Sequence, residues 1–339
     1  MPAQPMPSQP YRGIRRVVLG LLAIVALLIA GLMWWWDAEP PLFDPVAVTQ
    51  AQMRELKRPV ATGATSTVTL ITSVRTLLDK RGGYLSNDKL PPGLFMDNVP
   101  NWEFGSLTAS RDLVRALRND FSRSQAQSTE DKDLAAADPL LNSPNDRWLL
   151  LSSESQYRKA IKYLDGYLSR LGDGADSNAH FYARADNLAD YLQLASSRLG
   201  SLSQRLSASV GQIRVGDVDA SALASAASVH APEGERMVKT PWTKVDDNFY
   251  EARGYTWTLL EQLRALQTDF GPILRSKHAD VSLEQVIREL EEAQRPLHSP
   301  MVLNGSPFGF FANHSLVMAN YVSRANAALI DLRELLKRG

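Results

Sequence analysis

Residues 153–171, SESQYRKAIKYLDGYLSRL, place Tyr157, Ile161, Leu164, Leu168 and Leu171 at spacings of four, three, four and three. That period gathers all five on one face of an α-helix. It returns downstream in Leu188, Leu192, Ala195, Leu199, Leu202 and Leu206, and near the C-terminus in Val322, Ala325, Leu329, Leu332 and Leu336. Between the first two runs lies GDGADSN (172–178), whose glycines and Asp/Asn residues favour a helix stop followed by a new cap. The spacing therefore predicts a long antiparallel αα-hairpin over 153–210, opened by a Ser153–Gln156 capping box. Ser282 and Gln285 open a shorter helix that ends before Pro296. STVTLITSV (66–74) is rich in β-branched residues, yet Val68, Ile71, Val74, Leu77 and Leu78 fit a helical face better than a strand. No convincing strand alternation appears elsewhere. The expected fold class is all-α: an N-terminal single transmembrane helix followed by a periplasmic helical bundle with a long αα-hairpin.

The transmembrane expectation rests on VVLGLLAIVALLIAGLMWWW (17–36), twenty residues without a charge. A helix of that length crosses a hydrocarbon core of roughly 30 Å. Arg12, Arg15 and Arg16 precede it, while Asp37 and Glu39 follow. Basic residues are retained on the cytoplasmic side, so 1–16 are expected as a cytoplasmic tail and the rest in the periplasm of a bacterium, anchored in the inner membrane. A cleaved signal peptide would carry a shorter apolar core and a small-residue cleavage site. Here the run ends in Trp34, Trp35 and Trp36, residues suited to a membrane–water interface. Gly20 and Gly31 are too far apart for a GxxxG dimerisation face. Residues 37–63 hold Pro40, Pro41, Pro45 and Pro59 and read as a semi-rigid stalk, with a short helix around Val48–Arg58. Residues 64–339 then form the helical body. Three stretches interrupt its helical pattern and are expected as loops: 82–104, 127–147 and 211–239.

One internal similarity stands out. RALRNDF (115–121) recurs as RALQTDF (264–270), and the same offset aligns Gly105 with Gly254, Asp112 with Glu261, and Val114 with Leu263. Fainter echoes link GLFMDN (93–98) to GFFANH (309–314) and FYARA (181–185) to FYEAR (249–253). Either amphipathic helices resemble one another by chance, or two halves, about 64–175 and 176–339, pack pseudo-symmetrically.

Composition excludes several chemistries. With no cysteine there is no disulfide framework, thiol nucleophile or zinc–thiolate site. Lysine plus arginine and aspartate plus glutamate balance at 37 each, which is no footprint for nucleic acid. His180, His230, His278, His298 and His314 form no HxxxH or HExxH pair, so no metal site is expected. No P-loop, GxGxxG, GxSxG or SxxK motif occurs, and no cofactor is expected.

Two segments combine carboxylates with aromatic rings. The first supplies Asp97, Asn98, Trp102 and Glu103; the second supplies Trp242, Asp246, Asp247, Tyr250, Glu251 and Arg253. Rings stack on sugar faces, and two carboxylates in different environments can divide acid and base roles, so together these residues form a candidate binding cleft. The structural alternative is that the rings anchor the loops while Asp97, Asn98 and Asp247 cap helices. Arg111, Arg115 and Arg118 form a stripe able to grip oxyanions, or else a solvated face paired with Asp112, Glu130 and Asp131. No catalytic residue is assigned.

GGYLSND (82–88), PPGLFMDNVPNWEFG (91–105), RALRNDFSRSQ (115–125), FYARADNL (181–188), GSLSQRLSASVG (200–211) and WTKVDDNFYEARG (242–254) together resemble a proteobacterial inner-membrane family of unknown function. The resemblance implies a membrane-anchored, mainly helical protein and no particular activity. The expectation is an interaction or scaffold protein of the cell envelope. Its partners are the lipid bilayer and either an envelope protein or a second copy, with peptidoglycan or a lipid headgroup as candidate ligand. The alternatives are a ligand-binding or sensor module built on the aromatic–acidic loops and, third, a peptidoglycan-active enzyme using Glu103 or Asp246.

Overall fold

The computed structural model describes residues 11–124, 128–173, 178–215, 235–299 and 301–338. Among them are eleven α-helices: α1 (Tyr11–Trp36), α2 (Pro45–Glu55), α3 (Ala64–Asp79), α4 (Asn98–Ala116), α5 (Lys132–Leu141), α6 (Ser153–Leu171), α7 (Ala185–Ser207), α8 (Val245–Asp269), α9 (Gly271–Ser276), α10 (Asp280–Ala293) and α11 (His314–Lys337). A π-helical turn, Leu117–Phe121, prolongs α4. The chain is all-α apart from a short antiparallel ribbon, β1 (Gln212–Val215) with β2 (Glu235–Val238), inside the segment expected as a loop. The remainder of that segment, 216–234, lies outside the described residues.

α4 and α8 form the axis of the body and run parallel. Asn101 bonds Asp247 near their starts, Ser106 meets Thr258 at 2.5 Å, Gln262 donates to the Ala109 carbonyl, and the rings of Phe121 and Phe270 touch at 5.2 Å near their ends. Two glycines allow the approach. A Cβ on Gly254 would lie 1.8 Å from the Trp102 carbonyl oxygen, and one on Gly105 would lie 2.0 Å from that of Glu251. Around this axis one neighbour pattern occurs twice. α3 packs on α4 and α6, and α5 joins α4 to α6; likewise α7 packs on α8 and α11, and α10 joins α8 to α11.

The sequence periodicity places α6 and α7 well, but they do not pair as a hairpin. The α6 seam packs on α3 and α5, and the α7 seam packs on α11, so each is consumed within its own set of four helices. The α6 cap is Ser152, whose Oγ accepts from Ser155 N, because the Ser153 side chain is turned inward onto the Pro144 carbonyl. α10 likewise begins earlier than expected, at Asp280. The polar stretch 127–147 is not simply a loop: it contains α5, opened by Asp131 accepting from Asp133 N and Leu134 N.

α3 is helical, as the Val68–Leu78 spacing predicts, and most of its residues are buried. Its Thr67, Ser73 and Thr76 return their hydroxyls to carbonyls one turn back, which helps a polar sequence sit in a core. Its N-terminus is capped from a distance: Asp269, at the end of α8, accepts from Gly63 N (2.9 Å), Ser66 N (2.7 Å) and Ser66 Oγ (2.6 Å).

Residues 37–63 do not stand off the body as a stalk. They descend along it as a strap. Glu39 pairs with Arg253, Phe43 packs edge-on against Trp257 at 5.7 Å and gives its N–H to Glu261, and Thr49 and Met53 are buried. Pro45 opens α2 at a position where its missing N–H costs nothing, with Asp44 as N-cap. The prolines shape the strap; its apolar residues hold it down.

α1 carries the one described stretch long and apolar enough to cross a membrane, Ile14–Trp36, with mean hydropathy 2.8 and none of that window buried. It meets the body at its last turn, where Trp36 lies over Gly82 and the Arg81 guanidinium sits 5.9 Å from the Trp35 ring.

Candidate functional site

The parallel packing of α4 and α8 brings two helix N-termini side by side, next to the point where α1 joins the body. Aligned peptide dipoles give each N-terminus a partial positive charge that favours carboxylates. Asp97, Asn98, Asp246 and Asp247 gather there, joined by Asp37 and Glu39 from the strap. Asn101 bonds Asp247 at 2.9 Å, and Lys244 pairs with Asp247 at 2.7 Å. Burial raises the Asp37 carboxyl above its ordinary range against the Asn98 hydrogen bond, with Glu39 and Asp97 adding repulsion. Asp246 is raised for the same first reason, with Asp97 and Asp247 adding repulsion.

The two aromatic–acidic segments thus meet, but their members do not line one open cleft. Trp102 is buried in the core against Trp257, ring centroids 5.3 Å apart. Glu103 is fully enclosed, accepts from Leu85 N, Ser86 N and Ser86 Oγ, and pairs with the equally buried Lys80 at 2.5 Å. Its neutral form is favoured by burial, against the opposing charge of Lys80. It pins the turn after α3 and faces no solvent. Trp242 is 86% exposed. Tyr250 packs on Phe249, and Glu251 is held by Arg205 at 2.5 Å. Arg253 is buried, donating to the Ala293 and Arg295 carbonyls as well as to Glu39.

The arginine stripe is divided. Arg111 donates to the Leu141 and Ser143 carbonyls, and Arg118 bridges Glu130 and Asp138, so both serve as internal ties; Arg115 faces solvent. No group of His, Asp and Glu able to hold a metal ion occurs among the described residues.

Two clefts flank the joint. One, of about 530 Å³, lies between the strap at Ala38–Pro41 and the end of α3 at Arg75 and Asp79, with Arg81 just beyond it. The other, of about 510 Å³, lies between α8 and the α10–α11 connection, bordered by Arg253, Leu297, His298, His314 and Tyr321. His314 Nδ1 accepts from Leu303 N at 2.9 Å, and partial burial holds the ring's pKa below the usual histidine value. Histidine spacing alone gave no sign of this cleft, because its lining comes from three separate elements.

Residue patterning also passed over a feature of the loops at this end. Trp148–Leu151, between α5 and α6, and Phe308–Phe311, between α10 and α11, are apolar tips on turn-rich segments. Their side chains face solvent. The signal was legible as apolar runs inside stretches otherwise built of Pro, Gly, Asn and Ser.

Fold and site together define a class: an all-helical body joined without slack to one N-terminal helix of membrane-spanning length. Within that class, the chain belongs to the bacterial family described as "Uncharacterized protein conserved in bacteria (DUF2333)", whose model matches residues 9–339. No curated protein and no solved structure matches it.

Proposed function

We propose that the chain is a single-pass inner-membrane protein with its N-terminus in the cytoplasm and its body in the periplasm, acting as an interaction or scaffold protein of the cell envelope. The observation that carries this reading is the joint. α1 passes directly into a strap that is ion-paired, hydrogen-bonded and packed along the body, so the body is held at a fixed height beside the membrane. Arg15 and Arg16 before the uncharged run 17–36 and Asp37 and Glu39 after it support the orientation. Trp102 and Glu103 lie in the first turns of α4 and not on the loop expected over 82–104, and their enclosure counts against catalysis there. In-cell crosslinking of tagged full-length protein should recover the same membrane proteins, or a second copy, in repeated experiments; recovery of background alone would refute a stable assembly.

A second reading, a ligand-binding module, draws on the cleft beside Arg253, where His298 and His314 border an apolar wall. A muropeptide or phospholipid headgroup bound there would raise the melting temperature of the detergent-solubilised chain. Absence of any shift across such a screen would set this reading aside.

A further inference from the structure

We infer that the anchor end of the helical body is itself a membrane-contact surface, whose loop tips enter the interface of the bilayer that α1 crosses. The inference rests on the reading of α1 as a retained membrane span and holds for either orientation.

Helix direction places the tips. α3, α5, α7 and α10 end, and α4, α6, α8 and α11 begin, at the end of the body where Trp36 meets Gly82 and Glu39 meets Arg253. The four connections there each display a large apolar side chain: Phe95 (61% exposed), Leu150 (93%), Trp242 (86%) and Phe310 (98%). At the opposite end the exposed large apolar residues are aliphatic, such as Val281. Among the described residues, every exposed tryptophan outside α1 lies at the anchor end. Scattered exposed leucines need no explanation; aromatic and leucine tips gathered at one end of a body do.

These tips are displayed, not loosely hung. The Trp148–Leu151 tip is closed at its base by Ser153 N donating to the Arg147 carbonyl (3.1 Å) and by Asn87 Nδ2 donating to the same carbonyl (2.7 Å). Leu150 and Leu151 both hold left-handed backbone, φ 46° and 57°, a conformation leucine rarely adopts. The Phe308–Phe311 tip stands on an Asn304–Asn313 bridge: Asn313 Nδ2 donates to Asn304 Oδ1 (2.9 Å), and Asn304 Nδ2 ties the stem to the Ser209 carbonyl (3.0 Å). Polar stems that fix apolar tips are costly in water and productive at a lipid interface, where aromatic rings settle at headgroup level and apolar side chains reach about 5–10 Å deeper. Exposed Arg81, Lys89 and Arg147 stand among the tips beside exposed Asp97 and Asp146, so the apolar tips and not net charge carry the contact. Trp34–Trp36 at the end of α1 mark the same interface, and this continuity with the anchor selects a bilayer over a protein as the occupant.

The absence of native cysteine makes a direct test simple. Single variants Leu150→Cys, Phe310→Cys, Val281→Cys and Leu27→Cys of the full-length chain would each be labelled with an environment-sensitive fluorophore. They would be reconstituted into phosphatidylethanolamine–phosphatidylglycerol vesicles carrying lipids nitroxide-labelled at shallow or deep positions. The expected result is blue-shifted emission and loss of intensity with shallow-labelled lipid at positions 150 and 310, quenching by deep-labelled lipid at 27, and neither effect at 281. Quenching at 27 without quenching at 150 and 310 overturns the contact surface and leaves the anchor standing. A blue shift at 150 and 310 without lipid quenching also overturns it, in favour of a second copy covering the tips. No quenching at 27 removes the membrane reading itself.

Discussion

Glu103 and Glu261 are both buried carboxylates, and the structure gives them different fates. Glu103 has a buried lysine and three hydrogen-bond donors, so its removal leaves Lys80 charged and without its partner in the core. Glu103→Ala should lower unfolding free energy by about 3–5 kcal/mol, the usual cost of stripping one partner from a buried pair, as read by denaturant titration. An unchanged midpoint would make Glu103 a candidate reactive group again. Among the described residues Glu261 has the Phe43 N–H and long contacts of 3.3 and 3.4 Å to Arg264, and burial pushes its pKa up to about 7. A carboxyl raised in the folded state binds its proton more tightly there than in the unfolded chain. Its burden is therefore absent at low pH and grows as pH rises from the ordinary glutamate range through about 7. Glu261→Gln keeps an acceptor for Phe43 and removes the charge. The variant should match the parent near pH 4 and exceed it at pH 8 by on the order of 3 kcal/mol at most. Parallel stability–pH curves for the two proteins would refute the assignment.

At the scale of elements, the α4–α8 crossing depends on two missing methyl groups. Gly105→Ala and Gly254→Ala each drive a Cβ into a backbone carbonyl of the other helix, which cannot swing aside as a side-chain tip would. Each should cost roughly 2–4 kcal/mol. Gly200, in the middle of α7, offers an open site: a Cβ placed there would meet only Asn326 Nδ2, at 3.6 Å. Gly200→Ala should therefore be neutral or stabilise by about 0.5–1 kcal/mol through helix propensity. Thermal melts of the three variants separate these signs, and a harmless Gly254→Ala would show that the helices are not in backbone contact. The sequence already aligned Gly105 with Gly254 and Phe121 with Phe270; in the structure the two glycines sit at one helix crossing, Gly105 against Glu251 and Gly254 against Trp102, and the two rings touch across the axis. The other two echoes behave differently: FYARA precedes α7 whereas FYEAR lies inside α8, and GLFMDN leads into α4 whereas GFFANH leads into α11. Helix positions were readable because an apolar seam reports burial at a period of 3.6. Helix partners were not, because the α6 seam would bury equally well against α7 or against α3 and α5.

For the whole molecule, the largest difference between pattern and structure is the strap, and the reason is physical. Four prolines within 37–63 restrict backbone angles without saying whether the chain lies in solvent or on a surface. What decides is the partner that each apolar residue finds, and those partners lie more than a hundred residues away: Phe43 on Trp257, and Arg253 holding Glu39. The candidate cleft escaped sequence reading for a related reason, since residue type marked Trp102 and Glu103 as chemically able but could not show that both are sealed. A spacer and a strap predict opposite outcomes on truncation. If residues 37–63 only carried the body off the membrane, a chain beginning at residue 64 would be as stable as one beginning at residue 37. Because Met53 and Thr49 are buried and Phe43 covers Trp257, the shorter chain exposes that apolar surface and leaves Glu261 and Arg253 without their strap partners. At about 1.5–3 kcal/mol for each large apolar side chain removed from the core, the loss is several kcal/mol out of the roughly 5–15 kcal/mol that holds a domain together. The chain from residue 64 should melt well below the chain from residue 37 or fail to fold, and a protease cut placed within the strap of the full-length protein should not by itself free the body from α1. Equal melting temperatures for the two shortened chains would return the segment to the role of a passive spacer.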